Sequence, residues 1–587
     1  MLIDWKLPTT GTVQRLLAAD GKLFAVTLEG SILCYGLGND ATHYDKQAPL
    51  AVAVSKDASR VAAEILSSGD AEGYAFWFGS ADDELIDAVA AESPFVQLAV
   101  VDEDTTRVDR LRRRMNAAGI YGQVTSHKSE AATFLPPQHV AHMVFVGRDL
   151  AMSADSHTIA EMYKAVRPYG GVMYLLADQD RLSIAAAVEA MKLEQAEVSV
   201  ARYGVIVRRV GALPGSADWT HQYGDIGNTI KSNDSRVKLP LGVLWFGGSS
   251  NMDVLPRHGH GPTEQVVGGR LFIQGMNSLS ARDVYTGRVL WKREFKNLGT
   301  FDVYYDATYK DTPLDSQYNQ VHIPGANGRG TNYVVASDRV YIVEGDTCHA
   351  LDPATGETLQ DIRLPTDSSG DQKEWGYLGV YQDVLIGGVG FANYRSRGEI
   401  TFDGDKGLSK NKAGFGGKSL DRAASMALAG FDRHSGKQLW KIDAVHSFWH
   451  NGIVAGNGRI FCLDRNPKRV EEVLKRRGKA SPDTYRILAI DYRTGQQQWQ
   501  INENIFGTWL GYSEAKDALL QAGASASDRL SDESGTGMAV YSGADGKVRW
   551  QNNSLSYSGP CILHNNLIIT NANSYKESAG AFNIDNG

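Results

Sequence analysis

The chain has 587 residues, too many for one ordinary hydrophobic core, and its 42% hydrophobic and 22% charged residues are ordinary for a globular protein. The net charge of −8 and the pI of about 6.0 argue against the basic face of a nucleic-acid-binding protein, so no nucleic-acid partner is expected. No run of about 18 apolar residues is present, so no membrane span is expected, and the start MLIDWKLPTT lacks the pattern of a signal peptide.

The first strand-like segment lies at residues 16–36, LLAADGKLFAVTLEGSILCYG. It predicts two or three strands of one β-sheet. A similar arrangement returns only from about residue 240. We therefore interpret residues 1–45 as a first partial repeat unit that an inserted domain interrupts.

Residues 50–210 have a different character, because strand-like runs alternate with amphipathic helical segments. The segments lie at 58–69, 73–79, 82–93, 96–102, 106–119 and 142–147. This alternation predicts a parallel sheet with helices on both faces. The last segment, VSVARYGVIVRR at 198–209, is typical of an antiparallel edge.

This order of elements resembles the class I S-adenosylmethionine (SAM) methyltransferase family. In that family a glycine-rich loop after the first strand lets the backbone approach the cofactor. An acidic residue at the end of the second strand holds the ribose, and another acidic residue lies near the adenine. The resemblance places Gly79 at the first loop glycine, Asp102 at the ribose and Glu130 beside the adenine.

The loop departs from the family pattern. Ala81 and Asp83 stand where the other two glycines are expected, and Asp82 and Asp83 would face the methionine carboxylate of SAM. Like charges at a desolvated site are costly. The departures favour a degenerate, cofactor-free docking domain over retained SAM binding and, least of all, methyl transfer.

After a connecting segment at 211–262, residues 263–587 repeat one pattern, seen in ARDVYTGRVLW (281–291). An Asp at a strand end accepts hydrogen bonds from the next turn, a Gly supplies a positive φ, and a Trp covers apolar surface between sheets. The copy at 350–359 has Gln360 nearby but no Trp. The pattern residues are Asp283, Gly287, Trp291, Asp432, Gly436, Trp440, Asp491, Gly495, Trp499, Gly546 and Trp550.

With an upstream strand pair, each copy predicts one four-stranded blade, and such blades must stack in a ring. The pattern resembles the pyrroloquinoline-quinone (PQQ)-type propeller repeat of quinoprotein alcohol dehydrogenases and of the propeller lipoprotein of outer-membrane protein assembly. The resemblance implies an all-β propeller of seven or eight blades when complete, plus an inserted α/β Rossmann-like methyltransferase-type domain. The whole chain resembles large bacterial propeller proteins with such an insert.

Six polar side chains are candidates for a ligand or metal site where loops meet at the mouth of the ring. They are His221, Asp225, His258, His260, His322 and His450. The alternative is that they hold long inter-blade loops through backbone hydrogen bonds. Their spacing matches no zinc motif. The four cysteines, which include no vicinal pair of the quinoprotein type, are interpreted as buried free thiols.

We expect a binding or assembly protein that uses loops at one ring face for an unidentified protein or small-molecule ligand. The alternatives are a quinoprotein-type oxidoreductase and a SAM-dependent methyltransferase with a propeller substrate-binding domain. No cofactor is assigned, with SAM and PQQ as the alternatives, and no metal is expected. The PQQ-type resemblance favours an extracytoplasmic, periplasmic location.

Overall fold

The computed structural model describes residues 6–38, 49–50, 52–247, 253–254, 262–275, 277–296, 298, 332–366, 370–392, 394, 422–479, 485–523, 536–571 and 579–587. None of the helices in these ranges is long and apolar enough to cross a membrane.

The N-terminal segment forms a small antiparallel sheet of three strands. They are β1 (Val13–Ala19), β2 (Lys22–Thr27) and β3 (Ile32–Tyr35). Every residue of β1 is exposed, and within the described residues β3 pairs only with β2. This sheet therefore buries little apolar surface where it lies.

The second unit is an α/β domain whose elements follow the predicted alternation. They are α1 (Lys56–Leu66), β4 (Tyr74–Phe78), α2 (Asp83–Glu92), β5 (Gln97–Asp102), α3 (Thr105–Ala117), β6 (Val124–Lys128), β7 (Ala141–Val146), α4 (Arg148–Ser153), α5 (Ser156–Lys164), β8 (Val172–Leu176), α6 (Arg181–Ala190), β9 (Ala196–Ala201) and β10 (Gly204–Arg209).

Its seven strands lie in the order β6-β5-β4-β7-β8-β10-β9. All neighbours are parallel except β10, which runs antiparallel to β8 and β9. One apolar cluster covers each face of the sheet, with Trp77 in one and Phe78 in the other. The predicted Rossmann-like, methyltransferase-type fold is confirmed.

The remaining strands form propeller-type sheets. They are β11 (Gln265–Val267), β12 (Arg270–Gln274), β13 (Ser278–Asp283), β14 (Val289–Glu294), β15 (Tyr333–Val335), β16 (Val340–Glu344), β17 (Thr347–Leu351), β18 (Thr358–Arg363), β19 (Trp375–Tyr381), β20 (Val384–Val389), β21 (Ala424–Asp432), β22 (Gln438–Gly456), β23 (Arg459–Asp464), β24 (Arg486–Asp491), β25 (Gln497–Ile501), β26 (Trp509–Ser513), β27 (Ala518–Ala522), β28 (Thr536–Ser542), β29 (Val548–Ser556), β30 (Ser558–His564), β31 (Leu567–Asn571) and β32 (Gly580–Asn583), with one helix, α7 (Lys468–Arg476).

Consecutive strands pair in antiparallel sheets, and the long strand β22 serves two of them. Its first half is the fourth strand of one blade, next to β21, and its second half is the first strand of the next, next to β23. Within the described part, β11 to β32 thus form six successive blades, the last with three strands. First strands of neighbouring blades contact each other in chain order. This arrangement confirms the predicted propeller-type fold.

A tryptophan joins each of four blades to the next. The indole Nε1 of Trp291 donates a hydrogen bond to the Pro353 carbonyl at 3.0 Å, and Trp499 donates to Gly543 at 2.9 Å. Trp440 and Trp550 donate in the same way to Tyr492 and Ile584. In each case the acceptor residue directly follows the Asp, Ser or Asn residue that begins the turn after the third strand. The four indoles therefore occupy equivalent places in their blades.

Each indole also lies on the turn glycine of the next blade. A Cβ added to Gly495 would come within 2.6 Å of Trp440, and one added to Gly546 within 2.9 Å of Trp499. The glycine is therefore needed for its positive φ and for the close approach of the ring. Where the copy at 350–359 lacks Trp, Gln360 Nε2 donates to the Ser435 carbonyl at 2.7 Å.

Candidate functional site

A cavity of about 520 Å³ lies at the carboxyl ends of β4, β5 and β7, where the family resemblance places a cofactor. Two loops approach each other closely at its base. Gly79 has a φ of +81°, and a Cβ added to Gly147 would lie 2.6 Å from the Gly79 carbonyl oxygen. The strand order thus produces the crevice expected at the edge of a parallel sheet.

Asp102 ends β5 beneath this cavity and is buried. Its carboxylate accepts hydrogen bonds from the Ser80 N–H at 2.5 Å, the Ser80 hydroxyl at 2.7 Å and the Asp104 N–H at 2.8 Å. Arg107 adds a bidentate pair, with Nε and Nη2 at 3.0 and 2.9 Å. A carboxylate offers about four acceptor positions, so five donors leave none for a ribose.

The pKa of Asp102 reflects this surplus of donors. Burial by itself raises the pKa of the carboxyl, but the Arg107 guanidinium and the Ser80 and Asp104 N–H groups together hold it below its usual value. In the ion pair between Arg107 and Asp102, the Asp102 side chain is buried and the Arg107 side chain is 33% exposed. Arg107 therefore fills the place that a ribose diol would need.

The start of α2 carries two acids that are neutralised within the chain. Asp82 caps the helix by accepting from Leu85 N–H at 3.1 Å, and it pairs with Arg148. Asp83 pairs with Arg110 at 2.6 Å and with Arg114 at 2.9 Å. The two acids that were expected to face the methionine carboxylate of SAM are thus each paired with arginines of the chain.

Glu130, which the resemblance places on the adenine side, is exposed. The cavity is lined instead by its neighbours Ser129 and Ala131. With the Asp102 acceptor positions filled by Ser80, Asp104 and Arg107, the residues present do not fit the ribose of SAM.

A second feature lies where the first strands of the blades converge. Residues 219–229 form hydrogen bonds to all six blades from β11 to β32, in chain order; we call this segment the hub. Its bonds join Trp219 to Val266, Thr220 to Val335, His221 to Val380, Ile226 to Ala455, Gly227 to Tyr512 and Thr229 to Leu563. The hub therefore connects the first strands of all six blades through hydrogen bonds.

His221 is one of these contacts. Its Nε2 accepts from the Val380 N–H at 3.1 Å, and its Nδ1 lies 2.8 Å from the Thr220 hydroxyl. Because Nε2 accepts, the proton belongs on Nδ1. Burial lowers the pKa of His221 to about 3. The side chain is thus a neutral imidazole engaged on both nitrogens.

Asp225 holds the turn of the hub. Its carboxylate accepts from the Gly227 N–H at 3.0 Å, the Thr229 N–H at 3.2 Å and the Thr229 hydroxyl at 2.6 Å. Burial raises its pKa. Next to it, Asn228 donates to the Asn451 and Leu510 carbonyls at 3.3 and 3.1 Å. In the structure these side chains bond to groups of the hub itself and of two neighbouring blades.

His450 lies in β22, where its Nε2 is 2.8 Å from the Ser425 hydroxyl and both side chains are buried. His258, His260 and His322 lie outside the described residues. Within the described ranges, no group of three or more His, Cys, Asp or Glu side chains is placed to hold a metal ion. The structure thus gives His221, Asp225 and His450 separate partners.

Contacts between the α/β domain and the propeller were not predicted from the sequence. His142 and Arg167 of the α/β domain meet Asp283 of the first complete blade, with Nε2 and Nε at 3.0 and 2.9 Å from Oδ2. Nothing local marks these residues. Trp245 did have a signal, because VLW occurs at 243–245 and again at 289–291. Among the cysteines, Cys34 is exposed, contrary to expectation, while Cys348, Cys462 and Cys561 are buried free thiols.

Residues 395–587 match the sequence profile of the family described as outer membrane protein assembly factor BamB. For this third of the chain the resemblance to the propeller repeat is confirmed. No curated protein matches the chain.

Three solved structures are similar to parts of the chain. BamB from Moraxella catarrhalis is 11% identical, with 53% of this chain and 68% of that chain covered and a TM-score of 0.28. A europium-containing methanol dehydrogenase is 12% identical, with coverages of 58% and 59% and a TM-score of 0.35. A SAM-dependent methyltransferase from Aquifex aeolicus is 15% identical, with coverages of 26% and 90% and a TM-score of 0.22.

Proposed function

We propose that this chain is a propeller-type binding or assembly protein in which the α/β domain acts as a docking module and does not methylate. The observation that carries the proposal is the Asp102 carboxylate, whose acceptor positions are filled by Ser80, Asp104 and Arg107. A SAM ribose would have to displace a bidentate arginine from a buried acid, which costs several kcal/mol. The BamB-like segment at 395–587 supports a role in protein interaction and an extracytoplasmic location.

The propeller offers its own site for a ligand or peptide. A cavity of about 460 Å³ lies between the β18–β19 connection and strands β20, β21 and β22. Its lining combines apolar Phe391 and Met426 with charged Lys373, Glu374 and Asp443. Such a mixture suits a partner that brings both apolar and polar groups.

Isothermal titration with SAM and with S-adenosylhomocysteine tests the proposal. The wild-type chain is expected to give no binding heat at ligand concentrations up to about 1 mM. Arg107→Ala frees the Asp102 carboxylate and is the one variant expected to gain weak binding. Arg113→Ala, an exposed arginine on the same helix, is the matched control and should stay silent. Micromolar SAM binding by the wild type would overturn the proposal in favour of the methyltransferase alternative.

A further inference from the structure

Trp245 lies in the same position as the four blade-joining tryptophans. Its Nε1 donates to the Val284 carbonyl at 2.9 Å, and Val284 directly follows the turn residue Asp283. A Cβ added to Gly287 would lie 2.4 Å from its ring. The other four tryptophans stand on the fourth strand of the preceding blade, namely β14, β22, β25 and β29.

We propose that residues 243–247 are the fourth strand of the blade begun by β1, β2 and β3. The α/β domain is then an insertion in the turn between the third and fourth strands of that blade. In the structure, residues 241–247 belong to no helix or sheet, and β3 has an open edge within the described residues. In the part of the chain that the structure describes, residues 243–247 therefore have no strand partner, and β3 has an unpaired edge that could accept one.

The pairing registers of the other blades predict how they fit. In the blade of β11 to β14, Phe272 pairs with Ala281, which pairs with Trp291. The same relation runs through Tyr341, Ala350 and Gln360, and through Phe461, Ala489 and Trp499. In the first sheet, Phe24 pairs with Cys34. By this rule Cys34 lies opposite Trp245, and Leu33 lies opposite Phe246.

Side-chain size supports this register. The residue opposite the bulky side chain is small in the other blades, being Ala281, Ala350, Gly430, Ala489 or Val540. A Cβ on Gly430 would lie 2.2 Å from the Trp440 ring. Cys34 meets the same demand, which explains an otherwise exposed thiol in a strand.

Burial points the same way. The two segments expose large apolar side chains, with relative exposures of 71% at Ile32, 81% at Val243 and 91% at Phe246. Large apolar side chains exposed to this extent are typical of a surface that packs against another segment. Pairing the two segments covers their backbone edges and brings this apolar surface to one blade.

The pairing has an architectural consequence. With the six blades from β11 to β32, the completed sheet makes a seventh. The α/β domain then leaves the first blade at its β3 turn and contacts Asp283 in the corresponding turn of the next blade. The domain therefore bridges two neighbouring turns on one rim of the ring.

A designed disulfide tests the register. In a Cys34→Ser background, Leu33→Cys with Phe246→Cys places two thiols on directly opposite residues, with Cβ atoms about 4.5–5.5 Å apart. Mild oxidation is expected to crosslink them, as a mobility shift and a linked peptide by mass spectrometry. Ile32→Cys with Phe246→Cys is the control, because Ile32 points to the other face of the sheet. Equal crosslinking of the two pairs would overturn the register, and no crosslinking of either would overturn the pairing.

The native thiol gives a second test that needs no new cysteine. Cys348, Cys462 and Cys561 are buried, so the reaction of Cys34 with a thiol reagent can be followed in the native protein. If Trp245 covers Cys34, the wild type reacts slowly and Trp245→Ala raises the rate by about tenfold. Full reactivity of the wild type, unchanged by Trp245→Ala, would contradict the proposal even where the double-cysteine variants fail to fold.

Discussion

His142 Nε2 lies 3.0 Å from Oδ2 of Asp283, and neither side chain is exposed. His142 Nδ1 accepts from the Tyr74 N–H at 3.3 Å, so the Nε2 proton is donated to the carboxylate. Asp283 thus holds its own turn, through the Tyr285 N–H at 2.8 Å, and the α/β domain as well. A second contact joins Arg288 to Asp70 and Glu72.

Replacing Asp283 by Asn leaves Arg167 facing a neutral side chain. We expect the unfolding free energy to fall by about 2 kcal/mol, because a buried cation loses its partner. Urea denaturation measures the change. Asp432→Asn is the control, since Asp432 holds an equivalent turn through His434 and Ser435 without touching the α/β domain. Equal losses in both variants would mean that the domain contact adds nothing.

Asp283 also predicts a pH dependence. Burial raises the pKa of its carboxyl, but the His142 hydrogen bond and the Arg167 charge hold it below the ordinary value of 3.8. A lowered folded-state pKa contributes stability above the unfolded pKa, and this stability is lost as pH falls. Below about pH 4 the wild type should therefore lose more stability than Asp283→Asn does. Parallel profiles of the two proteins across pH 2.5–5 would refute this.

His221 predicts a second pH effect, at a higher range. Its folded-state pKa of about 3 lies below the ordinary 6.5, so its contribution is complete above pH 6.5 and falls on acidification toward pH 3. At pH 5 we expect a loss of about 2 kcal/mol relative to pH 7, taking 1.36 kcal/mol per pH unit.

His221→Ala should abolish that slope and cost about 1–3 kcal/mol at pH 7, because the Val380 N–H is left without its acceptor. The measurement is the urea midpoint at both pH values. His434→Ala, at a half-exposed turn histidine, is the comparison variant and should change neither quantity. A retained pH slope in His221→Ala would assign the effect to another group.

Two substitutions of Trp291 separate the stability contributed by the indole hydrogen bond from the stability contributed by the packing of its ring. Trp291→Phe keeps a ring but loses the donor to Pro353, so we expect a cost of about 1 kcal/mol. Trp291→Ala also opens a cavity against Phe272 and should cost about 3–5 kcal/mol. Thermal or urea denaturation distinguishes the two. Equal costs would show that packing contributes little.

Gly546→Ala tests the close approach of indole and turn. Its φ of +71° strains any Cβ, and that Cβ would also lie 2.9 Å from the Trp499 ring. Gly458→Ala is the matched control, since its φ is +76° but nothing lies within 4 Å of the added Cβ. Both should lose about 1–2 kcal/mol from backbone strain, and Gly546→Ala a further 1–3 kcal/mol, roughly, from overpacking. The same unfolding free energy in both variants would remove the packing argument.

The architecture of both domains could be predicted from local sequence patterns. The recurring Asp, Gly and Trp of the repeat lie within eleven residues. They specify a tight turn and an indole that packs on the next blade, so one blade can be recognised from its local sequence. The alternation of residues 50–210 specifies the α/β sheet for the same reason, because its periods are local. Gly79, which was picked from the sequence as the first loop glycine, lines the crevice with a φ of +81°.

The contacts of the candidate site residues could not be predicted in this way, because they join distant segments. Whether Asp102 faces a ribose or an arginine depends on the rotamer of Arg107 and on the Ser80 loop. Whether His221 binds a ligand or a backbone depends on Val380, 159 residues away. Such contacts join segments that are far apart in the sequence and share no repeating pattern. Burial in the folded chain then sets the protonation state of the side chains that make them. Local pattern therefore predicts which elements form, while the pairing of distant polar groups is settled by packing alone.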